Sequence, residues 1–156
     1  MNSIVLIIYD FDGVMTDNRV ILREDGLESV IVNRSDGLAV EMIKDMGIRQ
    51  MILSKEKNKV VETRAKKLDI PVLQGIDNKK EALVRYCLSE GINLQSVAYI
   101  GNDLNDLEVM TVVGFPACPS DACKEVKKIS RVVFKAAGGA GVVRELLDHL
   151  INAKNA

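Results

Sequence analysis

Apolar and polar positions fall in alternating blocks along the chain. Ile4-Val-Leu-Ile-Ile-Tyr9 is an unbroken apolar run rich in β-branched residues. That is the pattern of a strand buried on both faces, as in a parallel sheet. Shorter runs follow at Gln50–Leu53, Pro71–Leu73, Val97–Ile100, Phe115–Ala117 and Arg131–Phe134. Between them apolar residues recur at helical spacing. Leu38, Met42, Ile43 and Met46 mark one helix, with Asp36 as its N-cap and Gly47 as its stop. Val61, Ala65 and Leu68 give the inner face of a charged helix over Lys59–Leu68. Ala82, Leu83, Tyr86 and Cys87 do the same for Glu81–Glu90, which Gly91 ends. Further helices are predicted over Leu107–Val113, from a cap at Asp121 to Lys128, and over Val142–Ile151, with Asn152–Ala156 as a fraying tail.

Strands alternating with helices predict right-handed crossovers and an α/β fold, a three-layer α/β/α arrangement around a Rossmann-like parallel sheet. One element stands outside this alternation. Val20–Leu22 and Val30–Val32 flank Asp25-Gly26 and predict a β-hairpin over about residues 19–32. It is apolar for a protrusion, so it packs either on another subunit or on its own domain.

The totals narrow the choice. A chain of 156 residues that is 47% hydrophobic suits a single domain, 1–156, burying ~70% of its unfolded surface. A net charge of −1 and 4% aromatic residues without Trp give no signal for nucleic acid. Cys87, Cys118 and Cys123 are too scattered for a disulfide framework. Cys118 and Cys123 lie close in sequence, but the only His is His149, so reduced thiols in a cytoplasmic protein are expected rather than zinc. Ile4–Tyr9 is too short for a signal-peptide core or a membrane span.

Candidate chemistry clusters at strand ends. The first run stops at Asp10-Phe-Asp12-Gly13, and two acids at the end of a buried strand need compensation, most simply by a divalent cation. Ser54 follows the second strand, Lys79 comes shortly after the third, and Asn102 and Asp103 follow the fourth. In a parallel sheet these ends share one edge, where open α/β sheets bind ligands. Lys80 competes with Lys79; the spacing to Gln74-Gly75 and to the strand at Val97 favours Lys79. The set holds carboxylates, a hydroxyl, an ammonium and an amide but no Cys or His, which fits phosphoryl transfer. A carboxylate attacks phosphorus once cations have neutralised the phosphoryl oxygens, and a second acid protonates the leaving alkoxide.

At these residues the chain resembles the haloacid dehalogenase superfamily of phosphatases. The motifs are Asp10-Phe-Asp12-Gly13, Ser54, Lys79 and Gly101-Asn-Asp-Leu-Asn-Asp106, in that order. The resemblance implies a phosphoric monoester hydrolase with Asp10 as nucleophile and Mg²⁺ ligand. Asp12 becomes the general acid/base, with its backbone carbonyl on the metal. Ser54 and Lys79 hold the phosphoryl group, and Asp106 supports the site from behind. The chain departs from the pattern where Asn102 replaces the usual metal-binding carboxylate; its amide oxygen can ligate Mg²⁺ but brings no charge, so either weaker metal binding or a share of the role taken by Asp103 is expected. A narrower resemblance rests on Thr16-Asp17, the apolar hairpin and Gly138-Gly-Ala-Gly-Val-Val-Arg-Glu145. It points to the phosphatases of 3-deoxy-octulosonate 8-phosphate and of nonulosonate (sialic-acid-type) 9-phosphates, and to the C-terminal module of acylneuraminate cytidylyltransferases. That branch implies a homotetramer packed through the hairpins. Ala140 stands where a polar residue is usual, which removes an expected tail contact. Leu53-Ser-Lys-Glu-Lys-Asn58, Arg64 and Lys67 lean toward the nonulosonate group, with Glu56 and Lys67 facing the sugar or else acting as plain solvated charges. The alternatives are an octulosonate phosphatase and, on the strength of Asn102, a weakly active oligomerisation module.

Overall fold

A computed structural model describes residues 4–155. Its elements run β1 (Leu6–Tyr9), β2 (Ile21–Leu22), β3 (Glu28–Ser29), α1 (Arg34–Asp45), β4 (Arg49–Leu53), α2 (Lys59–Leu68) and β5 (Val72–Leu73). Then come α3 (Lys79–Glu90), β6 (Val97–Ile100), α4 (Leu107–Met110), β7 (Phe115–Cys118), α5 (Lys124–Ile129), β8 (Val132–Val133) and α6 (Val142–Asn155). Six strands form one parallel sheet in the order β5-β4-β1-β6-β7-β8, with β2 and β3 apart as an antiparallel pair. The order reverses at β1, whose neighbours are β4 and β6. Such a switch point opens a crevice beyond the strands' carboxyl ends.

Both faces of the sheet are covered, which is why the strands are almost wholly apolar. Ile7, Tyr9, Ile52, Ala98 and Ile100 pack toward α1, α2 and α6. Their neighbours Leu6, Ile8, Met51, Leu53, Val97 and Tyr99 pack toward α3, α4 and α5. This is the two-residue period of a strand. The one buried polar side chain of β4, Gln50, is satisfied: its amide accepts from the Tyr9 hydroxyl at 2.8 Å and donates to the Val40 carbonyl at 2.9 Å. No helix among the described residues is long and apolar enough to cross a membrane. Cys87, Cys118 and Cys123 are free thiols.

Several boundaries differ from the sequence reading. The hairpin pairs Ile21 with Ser29 and Leu22 with Glu28, so its second strand precedes Val30. The turn closes early, with the Gly26 and Arg23 N–H groups donating to the Arg23 and Leu27 carbonyls at 3.0 Å each. Val32 forms an isolated bridge with Thr16 instead. The cap of α1 is Asn33, which accepts from Ser35 N at 2.8 Å. Asp36 lies inside the first turn and serves another helix, accepting from Arg144 N of α6 at 3.0 Å. Asp121 likewise caps nothing: it accepts from Gly138 N at 2.9 Å, while α5 starts after Cys123. α4 ends at Met110 rather than Val113, and α6 continues as helix through the expected tail to Asn155.

The glycine-rich stretch is not a free turn. Gly139 N donates to the Val14 carbonyl at 3.0 Å, and a Cβ on Gly138 would stand 2.2 Å from the Gly13 carbonyl oxygen. Backbone lies directly on the backbone that follows β1, so only glycine fits there.

Candidate active site

β1 delivers Asp10 to the switch point, and its carboxylate is buried with one of its two oxygens engaged. Oδ1 accepts from Phe11 N at 2.8 Å and from the Lys79 ammonium at 2.9 Å. Lys79 arrives from the other side because α3 starts two residues earlier than its apolar pattern implies. Asn78 caps it, accepting from Glu81 N at 2.9 Å, which buries Lys79 in the first turn. The ammonium also reaches Asp106 Oδ1 at 2.8 Å. Lys80 is exposed, so the choice between the two lysines falls on Lys79.

Asp106 is the hub of this network. Its Oδ1 also accepts from the Tyr99 hydroxyl at 2.8 Å, and its Oδ2 from the N–H groups of Asn102 at 2.9 Å and Asp103 at 3.3 Å. It therefore fixes both the lysine and the loop after β6. Tyr99 was missed in the sequence. The available signal was a phenol inside a buried strand, since a buried Tyr hydroxyl needs an acceptor.

Burial dominates the electrostatics. Burial, with the Asp106 carboxylate adding to it, pushes Asp10 up to about 8, against the opposing pull of Lys79. Burial lowers the Lys79 ammonium, but Asp10 and Asp106 more than offset this and leave it above its ordinary value. Asp12 is raised by burial and then by Glu56 and Glu28, while a hydrogen bond from the Thr16 hydroxyl opposes the rise. Thr16, which the sequence marks only as part of the Thr16-Asp17 resemblance, is fully buried, and its oxygen accepts from the N–H groups of Gly13 at 3.3 Å and Asn18 at 3.1 Å. A carboxyl held above its usual range is suited to carry a proton for transfer.

Ser54, at the end of β4, is buried with its oxygen accepting from Glu56 N at 3.1 Å. Asp10, Asp12, Ser54, Glu56, Lys57 and Asn105 line a shared hollow of about 500 Å³. Lys67 does not join them. It lies at the far end of α2 and lines a separate hollow of about 310 Å³ with Glu28, Val32, Thr63 and Arg64. Asp103 is exposed and committed to its own turn, accepting from Leu104 N at 2.8 Å in a capping box with Asp106. Among the described residues no three acids, histidines or cysteines gather as a metal cluster.

The cation donors that do converge are mixed. The outer atom of the Asn102 amide lies 3.0 Å from the Asp12 carbonyl oxygen and 3.2 Å from Asp10 Oδ2. Adjacent oxygens on a Mg²⁺ octahedron, at ~2.1 Å from the ion, stand ~3.0 Å apart. The spacing and the oxygen chemistry fit Mg²⁺, with one carboxylate where the usual set has two. Gly13 makes this possible: a Cβ there would lie 2.0 Å from Asn102 Nδ2. The arrangement offers a buried carboxylate beside an ammonium, a proton-carrying acid next to it and a hydroxyl opposite. That is equipment for attack on a phosphate monoester.

Comparison with known proteins follows the same line. The family described as haloacid dehalogenase-like hydrolase matches residues 27–146. The chain is 35% identical over 153 residues to the 3-deoxy-D-manno-octulosonate 8-phosphate phosphatase KdsC of Escherichia coli K12, covering 97% of this chain and 81% of that protein. A HAD family hydrolase from Streptomyces avermitilis superposes with a TM-score of 0.91 at 43% identity, covering 93% of this chain and 83% of that one. The octulosonate 8-phosphate phosphatase of Moraxella catarrhalis, solved with magnesium, phosphate and KDO, does so with a TM-score of 0.94 at 34% identity, covering 98% and 88%.

Proposed function

The chain belongs to the haloacid dehalogenase-like hydrolases and is a Mg²⁺-using phosphoric monoester hydrolase, and on that premise we propose that its substrate is a sugar-acid phosphate. The observation that carries this reading is the meeting of Asp10, Asp12 and Ser54 in one hollow with Lys79 on Asp10. Residues 1–156 act as one catalytic domain in this reading.

The Asp10 carboxylate attacks phosphorus and displaces the sugar alkoxide, giving an aspartyl-phosphate. Asp12 gives its proton to that alkoxide as the P–O bond breaks. It then takes a proton from the water that attacks phosphorus, which releases phosphate and regenerates Asp10. Lys79 and the Ser54 hydroxyl hold the phosphoryl oxygens. Asp10, the Asp12 carbonyl and the Asn102 amide would hold Mg²⁺, which supplies further positive charge against the phosphoryl oxygens.

For the sugar, we favour a nonulosonate 9-phosphate. Glu56 at the mouth of the hollow suits the hydroxyls or amide of such a sugar, and nearby Lys57 suits a carboxylate. The similarity to octulosonate 8-phosphate phosphatases supports the second reading. Purified protein with Mg²⁺ and a panel of sugar-acid phosphates separates the two by the ratio of kcat/KM. Absence of turnover above an Asp10→Asn control on every member refutes both.

Assembly belongs to the same proposal. Ile21, Leu22, Leu27 and Ile31 are 60%, 69%, 61% and 65% exposed, more apolar surface than a hairpin facing water carries without reason. A homotetramer packed through the hairpins covers it, and Lys67 then serves a neighbouring subunit's hollow if it serves substrate at all. Sedimentation of an Ile21→Lys variant as a smaller species than wild type is the expected result. An unassembled wild-type chain overturns the proposal.

A further inference from the structure

Asn102 occupies the position where the motif otherwise brings a carboxylate, and its amide has two unlike ends. The amide atom 3.0 Å from the Asp12 carbonyl oxygen and 3.2 Å from Asp10 Oδ2 faces acceptors only. With the amide oxygen there, three acceptor oxygens face one another, an arrangement that suits a cation between them. With the nitrogen there, one N–H goes to each acceptor and both are satisfied.

The surroundings leave these two acceptors to Asn102. Asp10 Oδ1 is already engaged by Phe11 N and Lys79. The backbone of Asn102 is pinned at both ends, its N–H donating to Asp106 Oδ2 at 2.9 Å and its carbonyl accepting from Cys123 N at 2.9 Å. Only the side-chain torsions remain to be set. Gly13 leaves the amide room, since a Cβ there would collide with it.

We propose that Asn102 is a positioning residue with two settings, one that clasps Asp10 and the Asp12 carbonyl through its NH₂ group before a cation binds and one that turns the amide oxygen to the cation afterwards. A carboxylate cannot make the first setting. When ionised it offers no proton, and it adds a further carboxylate beside Asp10 and Asp12. Asparagine thus keeps the donor pair assembled at ligating spacing in the absence of the ion. In return the ion must displace two hydrogen bonds and meets one negative charge fewer. The inference rests on the Mg²⁺ reading above for the identity of the ion, and not on the choice of sugar.

The test uses the full chain and Mg²⁺ alone, with no substrate. In ¹⁵N spectra recorded in EDTA, the Asn102 side-chain amide pair, assigned by triple-resonance experiments and by its loss in Asn102→Ala, is expected to exchange slowly with solvent. It is expected to shift on titration with MgCl₂. In EDTA, Asn102→Asp unfolds at lower temperature than wild type. By calorimetry it binds Mg²⁺ more tightly, on the order of tenfold or more for one added charge within a few ångströms. An Asn102 amide pair that exchanges as freely as exposed asparagines in EDTA overturns the proposal without recourse to any variant. So does an Asn102→Asp protein whose stability in EDTA and affinity for Mg²⁺ both match wild type. Passing these tests while hydrolysing no sugar-acid phosphate leaves the amide assignment standing and refutes the substrate reading alone.

Discussion

Replacing Tyr99 by Phe removes a single oxygen from the middle of the site and leaves the ring packing of β6 in place. The hydroxyl is fully buried and donates to Asp106 Oδ1 at 2.8 Å, the same oxygen that receives Lys79. A hydrogen bond to an ionised group is worth ~1.5–3 kcal/mol net, and here no water takes the vacated place beside a fully buried carboxylate without a cavity to hold it. The expected loss is therefore about 2 kcal/mol in unfolding free energy. In a chain of this size each kcal/mol lowers Tm by ~2–4 °C, so the midpoint drops by ~4–8 °C. Urea unfolding with unchanged m separates this from a change in the denatured state. A double-mutant cycle with Asp106→Asn isolates the bond, because the two residues share one contact. The coupling is expected at ~1 kcal/mol or more, since a neutral amide accepts more weakly than a carboxylate. A Tyr99→Phe protein within ~0.5 kcal/mol of wild type, or a cycle that is simply additive, refutes the assignment of Asp106 as the hub.

Lys79→Met leaves Asp10 and Asp106 buried without their shared cation. It is expected to cost ~3–5 kcal/mol of stability and to abolish phosphate release, while Lys80→Met stays near wild type in both assays. Asp10 is raised from 3.8 to about 8 by burial and then by Asp106, so the folded state holds this proton more tightly than the unfolded chain. The associated stability is complete below about pH 4 and lost as pH climbs through about 8, so urea midpoints in EDTA should fall across that window. Gly138→Ala drives a Cβ to 2.2 Å from the Gly13 carbonyl oxygen and is expected to cost ~3 kcal/mol, with lower kcat as the loop after β1 shifts, whereas Ala140→Ser at an exposed position leaves both unchanged.

What the chain discloses before folding depends on how local the determinant is. β1, β4, β6 and β7 are legible because a doubly covered parallel strand is mostly apolar, and apolar runs this short read as strand rather than helix. Their common edge then brings Asp10, Ser54, Lys79 and Asn102 together by topology alone. Boundaries set by long-range contacts are not legible. Asp36 has the composition of a cap, but its acceptor is spent on Arg144 N, 108 positions away. Asp121 is drawn off in the same way by Gly138 N. Asp103 and Lys67 do not line the hollow of Asp10 within one chain, for a related reason. The first is consumed by its own turn and the second is carried off along α2. Tyr99 escaped because it looks like filler in an apolar strand, and the role of Thr16 was not legible because only the partners that each hydroxyl finds give it meaning.

The charge balance of the site links fold to chemistry. Asp10 and Asp106 are both buried, and one ammonium lies between them at 2.9 and 2.8 Å. One cation for two anions leaves the nucleophile underneutralised, and burial magnifies the deficit by raising Asp10 toward its protonated form. A protonated carboxyl does not attack phosphorus. The deficit therefore disfavours the reactive form until more positive charge arrives next to Asp10 Oδ2, the oxygen that the lysine leaves free. That oxygen is the one facing Asn102. Neutralising the hub with Asp106→Asn relieves the deficit from the other side. Asp10 then ionises at lower pH, and Mg²⁺ binding loses part of its pH dependence even as Lys79 loses an anchor. Calorimetric Mg²⁺ titrations from pH 6 to pH 9 measure this directly, and an unchanged pH dependence in Asp106→Asn contradicts the coupling of the two carboxylates.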